Sequence, residues 1–146
     1  MVAVTENVTS DVTTGDVRHV VWCIVVAGGS GSRFGRPKQY EAVGGERILD
    51  RSVSVAATVC AGVIVVVPAA DVATESARFA HVVAGGSSRS ESVRTGLAAV
   101  PDAATVICVH DAARPFATPE LYRRVVDAID AGADGAIPGI VVTDTI

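Results

Sequence analysis

Three cations, Arg33, Arg36 and Lys38, stand within six residues of one another in a chain whose formal net charge is -4. They close a segment that opens Ala27-Gly28-Gly29-Ser30-Gly31-Ser32, with Gly35 among the cations. A backbone this rich in glycine can fold tightly with its N–H groups turned outward, as a polyphosphate requires, while the cations neutralise it. Upstream lies Val20-Val21-Trp22-Cys23-Ile24-Val25-Val26, an apolar run with the character of a strand buried on both faces. Strand, glycine loop and cationic tail together describe a nucleoside triphosphate site; the bland alternative is a tight surface turn between strand and helix. Two familiar variants are excluded. No Gly-Lys-Ser/Thr ends the loop as in a Walker sequence, and Phe34 stands where a dinucleotide fingerprint needs its third glycine. Arg33 and Lys38 are the candidates for neutralising charge during phosphoryl or nucleotidyl transfer, where positioning and electrostatics do most of the work. Arg36 reads as the most exposed of the three.

Three further segments carry candidate chemistry. In Gly85-Gly86-Ser87-Ser88-Arg89-Ser90-Glu91-Ser92 the two glycines leave room for a flat base against backbone. Ser88-x-x-Glu91 is also a capping box that starts a helix whatever the ligand, which leaves Ser92 to face a pocket and Arg89 to anchor the loop from behind. His110-Asp111-Ala112-Ala113-Arg114-Pro115 places a carboxylate where ribose hydroxyls or Mg²⁺ are held, and a guanidinium matched to phosphate. Asp111 as a simple turn cap is the alternative, and His110 reads as structural. In Thr143-Asp144-Thr145, Thr145 is a candidate hydroxyl contact to substrate. No His/Cys cluster has zinc spacing, and no serine or cysteine nucleophile motif occurs.

These segments need a scaffold, and the chain alternates strands with helices. Helical stripes are expected over 47–60, near 70–79, after Gly86 with Val93, Leu97 and Val100 inward, and from Thr118-Pro119-Glu120, with Thr as N-cap. Strands are expected over 63–67, 81–84, 105–109 and 135–142. The result is an α/β fold: a mostly parallel sheet with helices on both faces, whose ligands bind beyond the carboxyl ends of the strands. Residues 1–18 read as a disordered lead-in and 19–146 as one nucleotide-binding domain. Of the 146 residues, 49% are apolar and 4% aromatic, which suits a Val- and Ala-rich packed sheet. The acidic balance argues against nucleic acid or anionic membranes as partners. No apolar run reaches membrane-span length, and Cys23, Cys60 and Cys108 lack CxxC spacing, so a cytoplasmic protein with buried thiols is expected.

Taken together the chain resembles the 2-C-methyl-D-erythritol 4-phosphate cytidylyltransferases. The resemblance is carried by Ala27-Gly-Gly-x-Gly-x-Arg33, Pro37-Lys38-Gln39-Tyr40, Gly85-Gly86-x-x-Arg89-x-x-Ser92-Val93, Val109-His110-Asp111-Ala112-Ala113-Arg114-Pro115 and Asp144-Thr145. It implies a Rossmann-like nucleotidyltransferase fold that transfers CMP from CTP to the methylerythritol phosphate, with release of pyrophosphate, in non-mevalonate isoprenoid biosynthesis. Arg33 and Lys38 would stabilise the transition state at the α-phosphate. Ala27, Gly28, Gly86, Ser87 and Ser92 would line the cytosine pocket. Gly29, Asp111 and Ala112 would hold the ribose, and Gly31 belongs to the same nucleotide loop. Asp111 would also meet Mg²⁺ or another divalent cation, and Arg114 and Thr145 would contact the acceptor. The complete family protein is expected to be a homodimer, with further C-terminal strands, a projecting β-arm and a late lysine beyond Ile146. Measured against that pattern the domain is expected to be incomplete at its C-terminus. A ribitol-5-phosphate cytidylyltransferase and a non-catalytic CTP-binding fragment are the alternatives.

Overall fold

The computed structural model describes residues 1–5, 19–28 and 37–140. In chain order these form β1 Val2–Thr5, β2 Val21–Val26, a small hairpin of β3 Ala42–Val43 and β4 Glu46–Arg47, α1 Ile48–Ala57, β5 Gly62–Val67, α2 Val72–Ser76, β6 Val82–Ala84, α3 Arg89–Ala98, β7 Val106–Asp111, α4 Pro119–Asp130 and β8 Gly135–Ala136. The main sheet runs β6-β5-β2-β7-β1-β8. The pairs β2/β5, β2/β7 and β5/β6 are parallel, whereas β1 is antiparallel to both β7 and β8. The expected Rossmann-like, mostly parallel α/β architecture is therefore present.

Alternation along the strands sends side chains to two cores. Cys23, Val25, Val65, Val67, Val106 and Cys108 meet Leu49 and Ala56 of α1 and Tyr122, Val125 and Ile129 of α4 on one face. On the other, Ile24, Ile64 and Val66 are covered with help from Ala99 and Val100 at the end of α3. Helices thus lie on both faces. All three cysteines are buried and free, small apolar residues in effect.

Three expectations need correction. The polar lead-in is not wholly disordered: Val2–Thr5 is a strand between β7 and β8, its backbone groups paired on both sides. Residues 6–18 lie outside the described residues. The strand expected over 135–142 is only Gly135–Ala136; residues 137–140 follow without strand pairing, and 141–146 lie outside the described residues. Helix α3 also buries a different face. Ser92 and Gly96 point inward while Leu97 is 41% exposed. Sterics explain the choice, because a Cβ at Gly96 would come within 2.5 Å of Ile24 Cγ2 and 3.1 Å of Val66 Cγ2. The helix lies close against the sheet, and only small residues fit there.

His110 sits inside β7, 1% exposed, with its ring 5.8 Å from that of Tyr122. Neither ring nitrogen has a hydrogen-bond partner among the described residues. Burial lowers its pKa from 6.5 to about 4, so the fold holds the imidazole neutral. The unfolded chain then binds a proton that the folded chain refuses between those values. This contribution to stability is complete above pH 6.5 and is lost as pH falls toward 4, amounting to about 3 kcal/mol over the interval. Urea unfolding of the parent between pH 7 and 5 should show a loss of about 2 kcal/mol from this group. His110→Leu should flatten that slope, and an equal slope in the variant would remove His110 as its source.

Candidate functional site

The parallel pairing of β2 with β7 sets Val26 opposite Asp111, so two strands end side by side. Backbone bonds carry the sheet a step further: Ala27 N–H donates to Val66 O at 2.7 Å, Ala112 N–H to Val26 O at 3.0 Å, and Gly85 N–H to Val67 O at 2.8 Å. The starts of three loops are therefore held in one row at the carboxyl edge of the sheet. Above that row opens a cavity of about 880 Å³.

Of the residues singled out from the sequence, Ala27, Gly28, Gly86, Ser87, Ser92, Asp111, Ala112 and Arg114 line this cavity together. Gly29, Gly31, Arg33 and Thr145 lie outside the described residues. Lys38 begins the 3₁₀ turn Lys38–Tyr40 and is not among the lining residues, but its neighbour Gln39 is, 5% exposed. Gln39, Ser88, Arg89 and Ala113 complete much of the wall without having been assigned a ligand role. For Gln39 the available signal was its place directly after the cationic cluster.

Each wall has its own support. Ser88 caps α3 by accepting from Glu91 N–H at 3.1 Å, and the reciprocal Ser88 N–H to Glu91 contact completes the capping box. Glu91 Oε2 also accepts from Ser87 N–H at 2.7 Å and Ser87 Oγ at 2.5 Å. These bonds hold its carboxyl below the usual range, the Ser87 hydroxyl contributing most. Gly85 and Gly86 are required by proximity: a Cβ would meet Ser92 Oγ at 2.8 Å in the first case and Glu91 Cβ at 2.3 Å in the second. The loop after β7 is held by α1, where Ser52 Oγ donates to Ala112 O at 3.0 Å and Arg51 Nε to Pro115 O at 3.0 Å.

The Lys38–Tyr40 turn rests on an ionic cluster. Arg47 grips Glu75 with Nη1 and Nη2 at 2.9 and 2.8 Å, and Asp50 with Nε and Nη2 at 3.0 and 2.7 Å. Its guanidinium lies 5.6 Å from the centre of the Tyr40 ring, whose hydroxyl donates to Asp71 at 2.7 Å. Burial first, and then the Asp71 carboxylate, push the Tyr40 phenol upward, so it stays a donor. Arg47 and, less strongly, Arg78 hold Asp50 below the ordinary carboxylate range.

At the cavity floor Asp111 is 29% exposed. Arg89 Nε and Nη2 both reach its Oδ1 at 2.9 Å, and Arg114 Nε lies 3.7 Å from Oδ2. Arg89 thus anchors its loop from inside the cavity and not from behind, a correction to the sequence expectation. Asp111 is the only acidic residue in the lining among the described residues, and no group of three or more His, Cys, Asp or Glu side chains gathers there or elsewhere among them. A single carboxylate suits a hard divalent cation that keeps waters and takes its other oxygens from phosphate. The cavity therefore combines a floor of one carboxylate and two guanidiniums with a wall of hydroxyls and backbone close to glycine.

Known proteins bear on this geometry. A family model described as IspD, 2-C-methyl-D-erythritol 4-phosphate cytidylyltransferase, matches residues 21–146. A bifunctional enzyme IspD/IspF of Anaeromyxobacter dehalogenans is 47% identical over 132 residues, covering 84% of this chain and 33% of that protein. A 2-C-methyl-D-erythritol 4-phosphate cytidylyltransferase of Rhodococcus jostii is 41% identical over 140 residues, covering 90% of this chain and 61% of its own length. The chain thus spans between a third and two thirds of these relatives. A crystal structure of 4-diphosphocytidyl-2C-methyl-D-erythritol synthase superposes with a TM-score of 0.73 at 26% identity, over 90% of this chain and 64% of that one. Among the described residues no helix is long and apolar enough to cross a membrane.

The bond from Ser52 to Ala112 O is buried and joins α1 to the cavity floor, so its contribution is read from unfolding without ligand. Ser52→Ala leaves that carbonyl without its hydroxyl partner and should cost about 1–3 kcal/mol in urea unfolding with an unchanged m-value. A midpoint equal to that of the parent would show that the loop is held by other means.

Proposed function

The chain belongs to the 2-C-methyl-D-erythritol 4-phosphate cytidylyltransferase family, and from that premise we propose that its cavity receives CTP and directs CMP to the phosphate of 2-C-methyl-D-erythritol 4-phosphate. The observation that carries this reading is the meeting of three loops, after β2, β6 and β7, at one sheet edge around the Asp111 carboxylate. Glycine backbone and serine hydroxyls on one side suit a flat polar base, and cations on the other suit phosphate.

In this reading cytosine lies against Ala27, Gly28, Gly86, Ser87 and Ser92. The ribose is held by Gly29, Asp111 and Ala112, and Gly31 belongs to the same nucleotide-binding set. Asp111 would also hold a divalent cation, Mg²⁺ or another, which would supply fixed positive charge against the triphosphate. Arg114 and Thr145 orient the acceptor. A phosphate oxygen of the acceptor attacks the α-phosphorus in line; the new P–O bond forms as the bond to the bridging oxygen breaks, and pyrophosphate leaves with that electron pair. Arg33 and Lys38 neutralise the charge that builds on the α-phosphoryl oxygens. Support for Lys38 in this role is positional. Its turn is braced by Tyr40 and Arg47, and its neighbour Gln39 faces the cavity. The product would be a cytidine diphosphate derivative of the isoprenoid precursor route, made in the cytoplasm.

Two measurements test the reading. CTP with Mg²⁺ should raise the melting temperature more than UTP, ATP or GTP does, and no preference for CTP would overturn it. Lys38→Ala should weaken CTP binding by less than about tenfold while pyrophosphate release with the methylerythritol phosphate falls on the order of 100-fold or more. Equal turnover in variant and parent would take Lys38 out of the mechanism. CTP binding without any turnover by the parent would leave a nucleotide-binding module in place of an enzyme.

A further inference from the structure

The environment of Arg89 is not explained by helix α3. It is the first residue of that helix, where the positive end of the backbone dipole disfavours a cation. The capping box is completed by Ser88 and Glu91 and does not use the Arg89 guanidinium. What holds the guanidinium is Asp111, a residue of β7, through two contacts of 2.9 Å to one oxygen. The other Asp111 oxygen faces Arg114 at 3.7 Å. The carboxylate at the cavity floor is therefore occupied on both sides by cations belonging to the chain itself. An ion pair this exposed, 58% for Arg89 and 29% for Asp111, contributes little net stability and is readily exchanged.

We propose that Arg89 is the resident counter-cation of Asp111, holding that carboxylate until a divalent cation takes its place. This deepens the reading of Asp111 as a cation ligand and rests on it. A divalent ion and the guanidinium cannot share Oδ1 at bonding distance without placing like charges against each other in a partly buried floor. Binding of the ion therefore includes the work of displacing Arg89, so Arg89 is a positioning residue that weakens the site for a bare cation. The same contact spans the loops after β6 and β7 across the cavity floor.

The consequence runs opposite to a structural role: removing Arg89 should improve binding of a bare cation. Mn²⁺ alone, followed by water-proton relaxation on the whole chain without nucleotide, is the probe. Arg89→Ala should bind Mn²⁺ three- to tenfold more tightly than the parent, Arg89→Gln should do likewise, and Arg89→Lys should fall between. Arg94→Ala, on the same helix outside the cavity, should match the parent. Adding Asp111→Asn to Arg89→Ala should erase the gain. An Arg89→Ala or Arg89→Gln protein that binds Mn²⁺ no better than the parent, or not at all, overturns the proposal. Asp111→Asn alone tests the reading beneath: Mn²⁺ bound equally by it and by the parent sinks Asp111 as the ligand, whereas binding lost in it with no gain in Arg89→Ala sinks the Arg89 proposal alone.

Discussion

The pairing of β2 with β7 is the constraint on which the rest depends. Its register sets Cys23 beside Cys108 in the core and Val26 beside Asp111 at the edge. Side chains alternate faces, so a slip by one residue would send Val106, Cys108 and His110 toward α3, and Ile107 and Val109 toward α1 and α4. The volumes would not fit, because α3 offers Gly96 and Ser92 where α4 offers Tyr122. Core packing thereby decides where the Asp111 carboxylate stands relative to Ala27 and Gly28. Stability and site geometry are one problem at this seam.

A second layer of support lies away from the cavity. Glu75 is 2% exposed, and its carboxyl group is accommodated there because Arg47 meets both of its oxygens. The same guanidinium reaches Asp50 and covers Tyr40, so one side chain ties the β4–α1 junction, α2 and the Lys38–Tyr40 turn together. Such clusters contribute little net stability against an apolar replacement of equal volume, but they fix geometry. Here the geometry fixed is that of the Lys38–Tyr40 turn, whose Gln39 lines the cavity.

Much of this was legible in the residues because the signals were local. The buried strand before the glycine loop, the capping box at Ser88 and Glu91, and the Thr118-Pro119 start of α4 all appear as expected. What escaped depends on partners distant in sequence. Val-Ala-Val-Thr has strand propensity, but four residues become a strand only because β7 and β8 present edges to them. The inward face of α3 was misjudged because apolar periodicity favours Val93 and Leu97, whereas the space beside Ile24 and Val66 admits only small residues. Ser52 gave no sign that it reaches the loop after β7, and Arg89 gave none that its partner is a carboxylate at the end of β7.

The position of β1 also shapes how the chain assembles. β2, α1 and β5 form a unit from neighbouring residues, and α3 and β7 extend it by further short crossovers. β1 can join only when the edge of β7 already exists, and its closing loop encompasses most of the polypeptide. The entropy of such a closure grows slowly with length, but non-local pairing of this kind slows folding. β1 thus finds its place late, ahead only of β8, which pairs with it at the sheet edge, and until it docks the outer edge of β7 stays open to pairing with another molecule.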